Sequence, residues 1–111
     1  MEMAVSNTNS VDTITFEMDV LRSDIPVLVD FWASWCVPCL RAAPEVEAVA
    51  EELRSRLKVF KLDVDISPQL AQEYNVRSIP TLILFKGGQF VDKIVGAVPR
   101  DTIIEKLQMH L

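Results

Sequence analysis

Two cysteines stand three residues apart in Trp35-Cys36-Val37-Pro38-Cys39, and they are the only two in the chain of 111 residues. Thiols at that spacing do one of two kinds of chemistry. They exchange electrons by closing and opening a disulfide, or they supply half of a tetrahedral metal site. The pair follows closely on a compact apolar run, Pro26-Val-Leu-Val-Asp-Phe-Trp32, and precedes a long amphipathic stretch. A thiol at the start of a helix feels unpaired backbone N–H groups and the positive end of the dipole, and both favour thiolate over thiol. Cys36 is therefore the expected nucleophile, exposed at the helix start. Cys39, one helical turn on, is near enough to close a small disulfide loop. Pro38 falls in the first turn, where it costs no hydrogen bond and stiffens that loop. A four-ligand metal site needs two more donors, and His110 is the single histidine. The metal alternative, zinc or an iron–sulfur cluster, thus requires a site shared between two chains.

The elements that must position these residues alternate. Residues 1–10 are polar and are expected to form a flexible N-terminal segment, with one domain over 11–111. Val11–Ile14 reads as a short strand, and Phe16, Val20 and Leu21 as a short helix with Asp12 or Thr15 near its cap. Pro26–Trp32, rich in β-branched and aromatic residues, reads as a buried central strand. From Pro38 to Leu57, Ala42, Val46, Val49, Ala50, Leu53 and Leu57 recur at helical spacing. Pro44 is predicted to kink that helix. Lys58–Val64 reads as the next strand, and Ser67–Tyr74 as a helix capped by Ser67 with Pro68 at its first position. Thr81–Phe85 is a further buried strand, joined through the turn Gly87-Gly88 to Gln89–Val95. Arg100–Leu111 closes the chain as a helix. Strands alternating with helices, then a hairpin and a last helix, predict an α/β fold, a three-layer α/β/α sandwich on a mixed sheet.

Composition sets the outer bounds. Half of the residues are apolar, enough for a packed core, so wholesale disorder is excluded. Sixteen acids against eleven bases give a net charge of −5, which excludes a nucleic-acid binder that works by neutralising phosphates. The uncharged apolar runs Ile25–Val29 and Ile79–Phe85 are strand-sized and too short to cross a bilayer, so no membrane partner is expected. The opening MEMAVSNTNS has no basic start followed by an apolar run, which points away from secretion and towards a reducing, cytoplasmic setting. There, a close cysteine pair is catalytic or metal-binding before it is structural.

Further segments fall in a familiar order. Val27-Leu-Val-Asp-Phe-Trp-Ala33, the WCVPC motif, Pro44, Lys61-Leu-Asp-Val-Asp65, Ile79-Pro-Thr-Leu82, Phe85-Lys-Gly-Gly88 and Val95-Gly-Ala97 resemble the thioredoxin family along nearly the whole chain. Val76-Arg-Ser-Ile-Pro-Thr81 and Val95-Gly-Ala-Val-Pro99 are similar to cyanobacterial and chloroplast m-type members. Two positions depart from the family pattern. Val37 stands where glycine is usual, and Leu40 stands where a basic residue is usual, with Arg41 following. In this respect the motif also resembles that of membrane-tethered, extracytoplasmic relatives. The chain is read as an atypical thioredoxin.

The resemblance implies a five-stranded sheet with four helices, and roles for named residues. Asp30 is improbable as an ordinary acid among Leu28, Val29, Phe31 and Trp32, because burying an unpaired carboxylate is costly. It matches the family's buried aspartate, the proton acceptor for Cys39, with Lys61 as its neighbour on the adjacent strand. Pro80 matches a cis-proline facing the dithiol; Gly96 and Ala97 match the loop bordering the same groove. Trp35, Val37, Pro38 and Ile79 complete the expected partner-binding surface. The implied activity is reduction of protein disulfides by a monomer. No bound cofactor is implied. Recycling would come from a flavin- and NADPH-dependent or a ferredoxin-dependent reductase. Two alternatives remain: a scaffold module with an incidental dithiol, and the metal- or cluster-binding dimer.

Overall fold

The computed structural model describes residues 6–111, so part of the expected flexible segment, residues 1–5, lies outside the described residues. The rest of that segment is not a loose tail. Thr8–Ser10 forms strand β1, in parallel register with Thr8 opposite Val59 and Ser10 opposite Lys61. Val11–Ile14, expected as the strand, instead turns away from the sheet. The reason is that an edge strand needs only backbone pairing on one side, so no apolar alternation announces it. Val11 still donates its N–H to the Lys61 carbonyl at 2.9 Å and is buried.

The other strands are β2 (Val27–Trp32), β3 (Lys58–Asp63), β4 (Thr81–Lys86) and β5 (Gln89–Val95). Their order is β1-β3-β2-β4-β5, with β1, β2 and β3 parallel and β4 and β5 antiparallel to their neighbours. The parallel pair β2–β3 requires a crossover, and α1 (Val37–Glu52) supplies it. Helices α2 (Pro68–Glu73) and α3 (Arg100–Gln108) and a π-helical turn, Glu17–Leu21, complete the four expected helices. Asp12 and Thr15 close the approach to that turn reciprocally. Asp12 Oδ1 accepts from the Thr15 N–H at 3.0 Å, and Thr15 Oγ1 accepts from the Asp12 N–H at 3.1 Å.

Two cores lie on opposite faces of the sheet, which makes three layers. On one, Leu28, Leu82, Leu84 and Ile94 meet Val46, Val49 and Leu53 of α1 and Ile103 and Leu107 of α3. On the other, Val27, Val29, Phe31, Ile83 and Phe85 meet Phe16, Val20 and Leu70. Side chains along β2 alternate between the two faces. Asp30, two residues after Leu28, therefore faces α1, the helix that carries the cysteines. β2 thus turns its single acid towards that helix, beside Leu40, Ala43 and Pro44.

Three helix ends differ from expectation. α1 stops at Glu52, because the Leu53 carbonyl accepts from the Arg56 and Leu57 N–H groups and closes a turn. α3 ends at Gln108, with Met109 and His110 in a turn. Ser67 sits at the cap of α2, yet its hydroxyl does not bond the helix and accepts instead from the Thr13 N–H at 3.1 Å. α1 continues through Pro44. Proline has no N–H, so the Leu40 carbonyl lacks its helical donor there. The β4–β5 turn needs its glycines: Gly87 and Gly88 have φ of 60° and 77°. A Cβ at Gly88 would also lie 2.8 Å from the Leu21 carbonyl oxygen. Among the described residues, no helix is long and apolar enough to cross a membrane.

Candidate active site

Trp32 ends β2, and four residues later the chain enters α1 at Cys36. Cys36 is the N-cap of α1, with extended φ and ψ of −85° and 107°. That conformation turns its sulfur towards the first helical N–H groups. Cys36 and Cys39 are disulfide-bonded, with Cα atoms 5.2 Å apart. The Cys39 N–H donates to Cys36 Sγ at 3.2 Å. The expectation of an exposed Cys36 is corrected: the two residues are 4% and 3% exposed. Ala33, Trp32, Val64 and Ile79 pack against the two cysteines, so exposure does not distinguish them. The N–H donor does.

Asp30 is buried, 2% exposed, and among the described residues its Oδ1 has no hydrogen-bond partner. Burial raises its pKa from 3.8 to about 6, against the opposing pull of the Lys61 charge. Lys61 is the register partner of Asp30 on β3, as expected. Its ammonium, however, lies 4.0 Å from the centroid of the Trp32 ring, and among the described residues it forms no direct ion pair with Asp30. The lysine acts on the carboxylate through space. A cleft of about 350 Å³ reaches Asp30, with Lys61 and Glu47 in its walls.

In front of the disulfide, the Ile79–Pro80 peptide is cis. The Ile79 carbonyl oxygen lies 3.7 Å from Cys36 Sγ, and the Pro80 carbonyl accepts from the Gly96 N–H at 2.8 Å. Gly96 has φ of 94°, which lets the loop turn sharply beside Pro80 and leaves Ala97 exposed. Trp35, Val37 and Pro38 are exposed on the opposite side of the cysteines. The structure thus brings the expected residues into two groups. Trp35, Cys36, Val37, Pro38, Ile79, Pro80, Gly96 and Ala97 gather around the disulfide, while Asp30 and Lys61 share a separate cleft with Leu40, Ala43 and Pro44 of α1. His110 is elsewhere, its ring nitrogen 3.1 Å from Asp92 Oδ2.

Two residues were not anticipated. Asp65 Oδ2 accepts from Trp35 Nε1 at 2.7 Å, and the Asp65 N–H donates to Asp63 Oδ1 at 2.8 Å. A signal existed: with β2 and β3 parallel and Trp32 opposite Asp63, the residues just past both strand ends meet. Glu47 is the other, and nothing near it in the sequence marks it.

Comparison with known proteins agrees with this geometry. Residues 7–109 match the family model described as Thioredoxin. The chain is 50% identical over 107 residues to Thioredoxin 1 of Nostoc sp., covering 96% of this chain and 100% of that protein. It is 49% identical to Thioredoxin of Synechocystis sp. over the same length and with the same coverage. To the chloroplastic M-type thioredoxin of Chlamydomonas reinhardtii it is 47% identical, over 96% of this chain and 76% of that one.

Proposed function

Since the chain belongs to the thioredoxin family and is a protein-disulfide reductase, we propose that Cys36 attacks and Cys39 resolves, with Asp30 as the proton acceptor. Cys36 thiolate attacks one sulfur of a target disulfide, forms a mixed disulfide and expels the other target sulfur as thiolate. Cys39 passes its proton to Asp30 and attacks Cys36 Sγ, releasing the second target sulfur. Two electrons move to the target, and the Cys36–Cys39 disulfide remains. Lys61 keeps the Asp30 carboxylate accessible by opposing part of its burial cost. The target chain lies extended beside Ile79 and Pro80 as an added strand, with Trp35, Val37, Pro38, Gly96 and Ala97 at its sides.

The observation that carries the assignment is the Cys39 N–H donating to Cys36 Sγ at the head of α1. That donor stabilises a thiolate on Cys36 and offers nothing equivalent to Cys39. The test is a trap. Cys39→Ser should accumulate a stable mixed disulfide between Cys36 and a target with a reducible disulfide, such as insulin, and Cys36→Ser should accumulate none. Recycling falls to a thioredoxin reductase, NADPH- or ferredoxin-dependent, and the protein works as a cytoplasmic monomer. Incubating the oxidised protein with each reductase type identifies the donor. The expected single domain spans residues 11–111, extended by β1.

A further inference from the structure

The cleft behind Asp30 has a wall that the redox chemistry leaves unexplained. β2 lies between two other strands, so Asp30 can meet solvent only across the face covered by α1. The cleft of about 350 Å³ opens on that face, between α1 and the segment leading into β1, and Ser6, Thr8 and Glu47 line it together with Asp30 and Lys61. The Glu47 carboxylate gathers three donors from that one segment. Glu47 Oε2 accepts from Ser6 Oγ at 3.1 Å and from Thr8 Oγ1 at 3.3 Å, and Oε1 accepts from the Asn7 N–H. Hydrogen bonds to an ionised acceptor are among the stronger ones. They tie chain segments about 40 residues apart at the side of the cleft. At the inner end, Asp30 Oδ1 has no partner among the described residues.

We infer that Glu47 is a positioning residue for the proton step: by pinning Ser6–Thr8 beside the cleft, it sets how freely water reaches Asp30. This rests on the reading of Asp30 as proton acceptor. A carboxyl that takes a proton must return it to solvent before the next turnover, and the cleft has room for the water that would carry it. A pinned wall keeps that water sparse, which keeps Asp30 poorly solvated and its proton held. Among the described residues, the charged groups facing Asp30 are Lys61 from β3 and Glu47 from α1; β4 places Leu82 opposite it, and the β1 side contributes the Ser6 and Thr8 hydroxyls. Cys39, on α1, does not titrate in the disulfide form, so the oxidised protein isolates the effect.

The experiment is a carboxyl-carbon NMR titration of Asp30 in the oxidised full chain. Glu47→Ala should lower the Asp30 midpoint by about half a pH unit or more, because solvation favours the charged form. Glu47→Gln, which keeps an acceptor of the same shape, should stay nearer the wild type. Ser6→Ala with Thr8→Val, which removes two donors and leaves the Glu47 charge, should lower the midpoint as well. That double variant decides the matter if Glu47→Ala does not fold. An unmoved midpoint in Glu47→Ala or in the double variant overturns the inference. Equal shifts in Glu47→Ala and Glu47→Gln also overturn it, since charge repulsion alone would then account for both. A midpoint that moves while the pH profile of mixed-disulfide resolution does not upholds the hold of Glu47 on Asp30, and instead overturns the role of Asp30 in resolution.

Discussion

The Cys39 N–H donates to Cys36 Sγ at 3.2 Å, so the backbone of the second cysteine supports negative charge on the sulfur of the first, as the proposed division into attacking and resolving residues requires. This relationship makes the two thiols unequal although both are almost fully covered. In the reduced protein at mildly acidic pH, iodoacetamide should label Cys36 about tenfold or more faster than Cys39, because thiolate fraction sets the rate. Peptide mapping after a short pulse reads the ratio. Equal labelling, or faster labelling of Cys39, would reverse the assignment.

Asp30→Asn separates proton transfer from the first attack. Formation of the mixed disulfide should be nearly unchanged, while resolution slows by about tenfold or more for want of a base. Stability should move with pH in a defined direction. The folded pKa of about 6 lies above the ordinary 3.8, so the native state holds the proton more tightly than the unfolded chain. Wild-type stability therefore falls as pH rises from about 4 through about 6, and the offset corresponds to roughly 3 kcal/mol at most. Asp30→Asn should be more stable than wild type at pH 8 and lose most of that advantage at pH 4. Urea unfolding at the two pH values checks it, and clear destabilisation at pH 8 would refute it.

Lys61 opposes the burial of Asp30 from a position over the Trp32 ring. Lys61→Met should keep the apolar stem and remove the charge. The Asp30 midpoint should then rise above its wild-type value, which NMR titration measures. A midpoint that stays or falls would show that the lysine has no hold on the carboxyl.

Trp35 is 66% exposed, yet its indole N–H is held by Asp65 at 2.7 Å. An exposed aromatic fixed in one orientation costs less entropy when a partner packs on it. Asp65→Ala should raise KM for insulin about threefold or more, while reduction of a small aromatic disulfide stays within about twofold. Steady-state kinetics on the two substrates gives the split; equal effects on both would place Asp65 in the chemistry instead.

Val37, 58% exposed, and Leu40, 51% exposed, put apolar side chains beside the disulfide, where the proposed function has a reductase approach. Val37→Gly, alone or with Leu40→Lys, should improve recycling by at least one reductase type several-fold. Insulin reduction driven by a chemical dithiol should change much less. Unchanged recycling would make both residues neutral variations.

Part of this site could be read without coordinates because its residues are local, whereas Lys61, Ile79, Pro80, Gly96 and Ala97 lie far along the chain and came only through the family resemblance. Cys36, Pro38 and Cys39 share one turn of helix, and the buried run Val27–Trp32 singles out Asp30 by contrast. The partner of Trp35 was hidden because it depends on which strands lie side by side. Glu47 was hidden more deeply, since its donors are about 40 residues away and belong to a polar edge strand without alternation. Val11–Ile14 misled for a related reason: a buried valine beside a strand looks like one within it. Helix ends were overrun wherever apolar spacing continues into a turn, as at Leu57.

Pro44 gives α1 a mechanical division. With the Leu40 carbonyl lacking its helical donor, the first two turns, which carry both sulfurs, are joined to the rest of the helix by a softer link. The later turns are anchored through Val46, Val49 and Leu53 in the core beneath them. When the disulfide opens and its sulfurs move apart, the displacement can be taken up ahead of Pro44 and need not pass along the helix axis. The protein can thus change oxidation state many times while the packing that holds it together remains still.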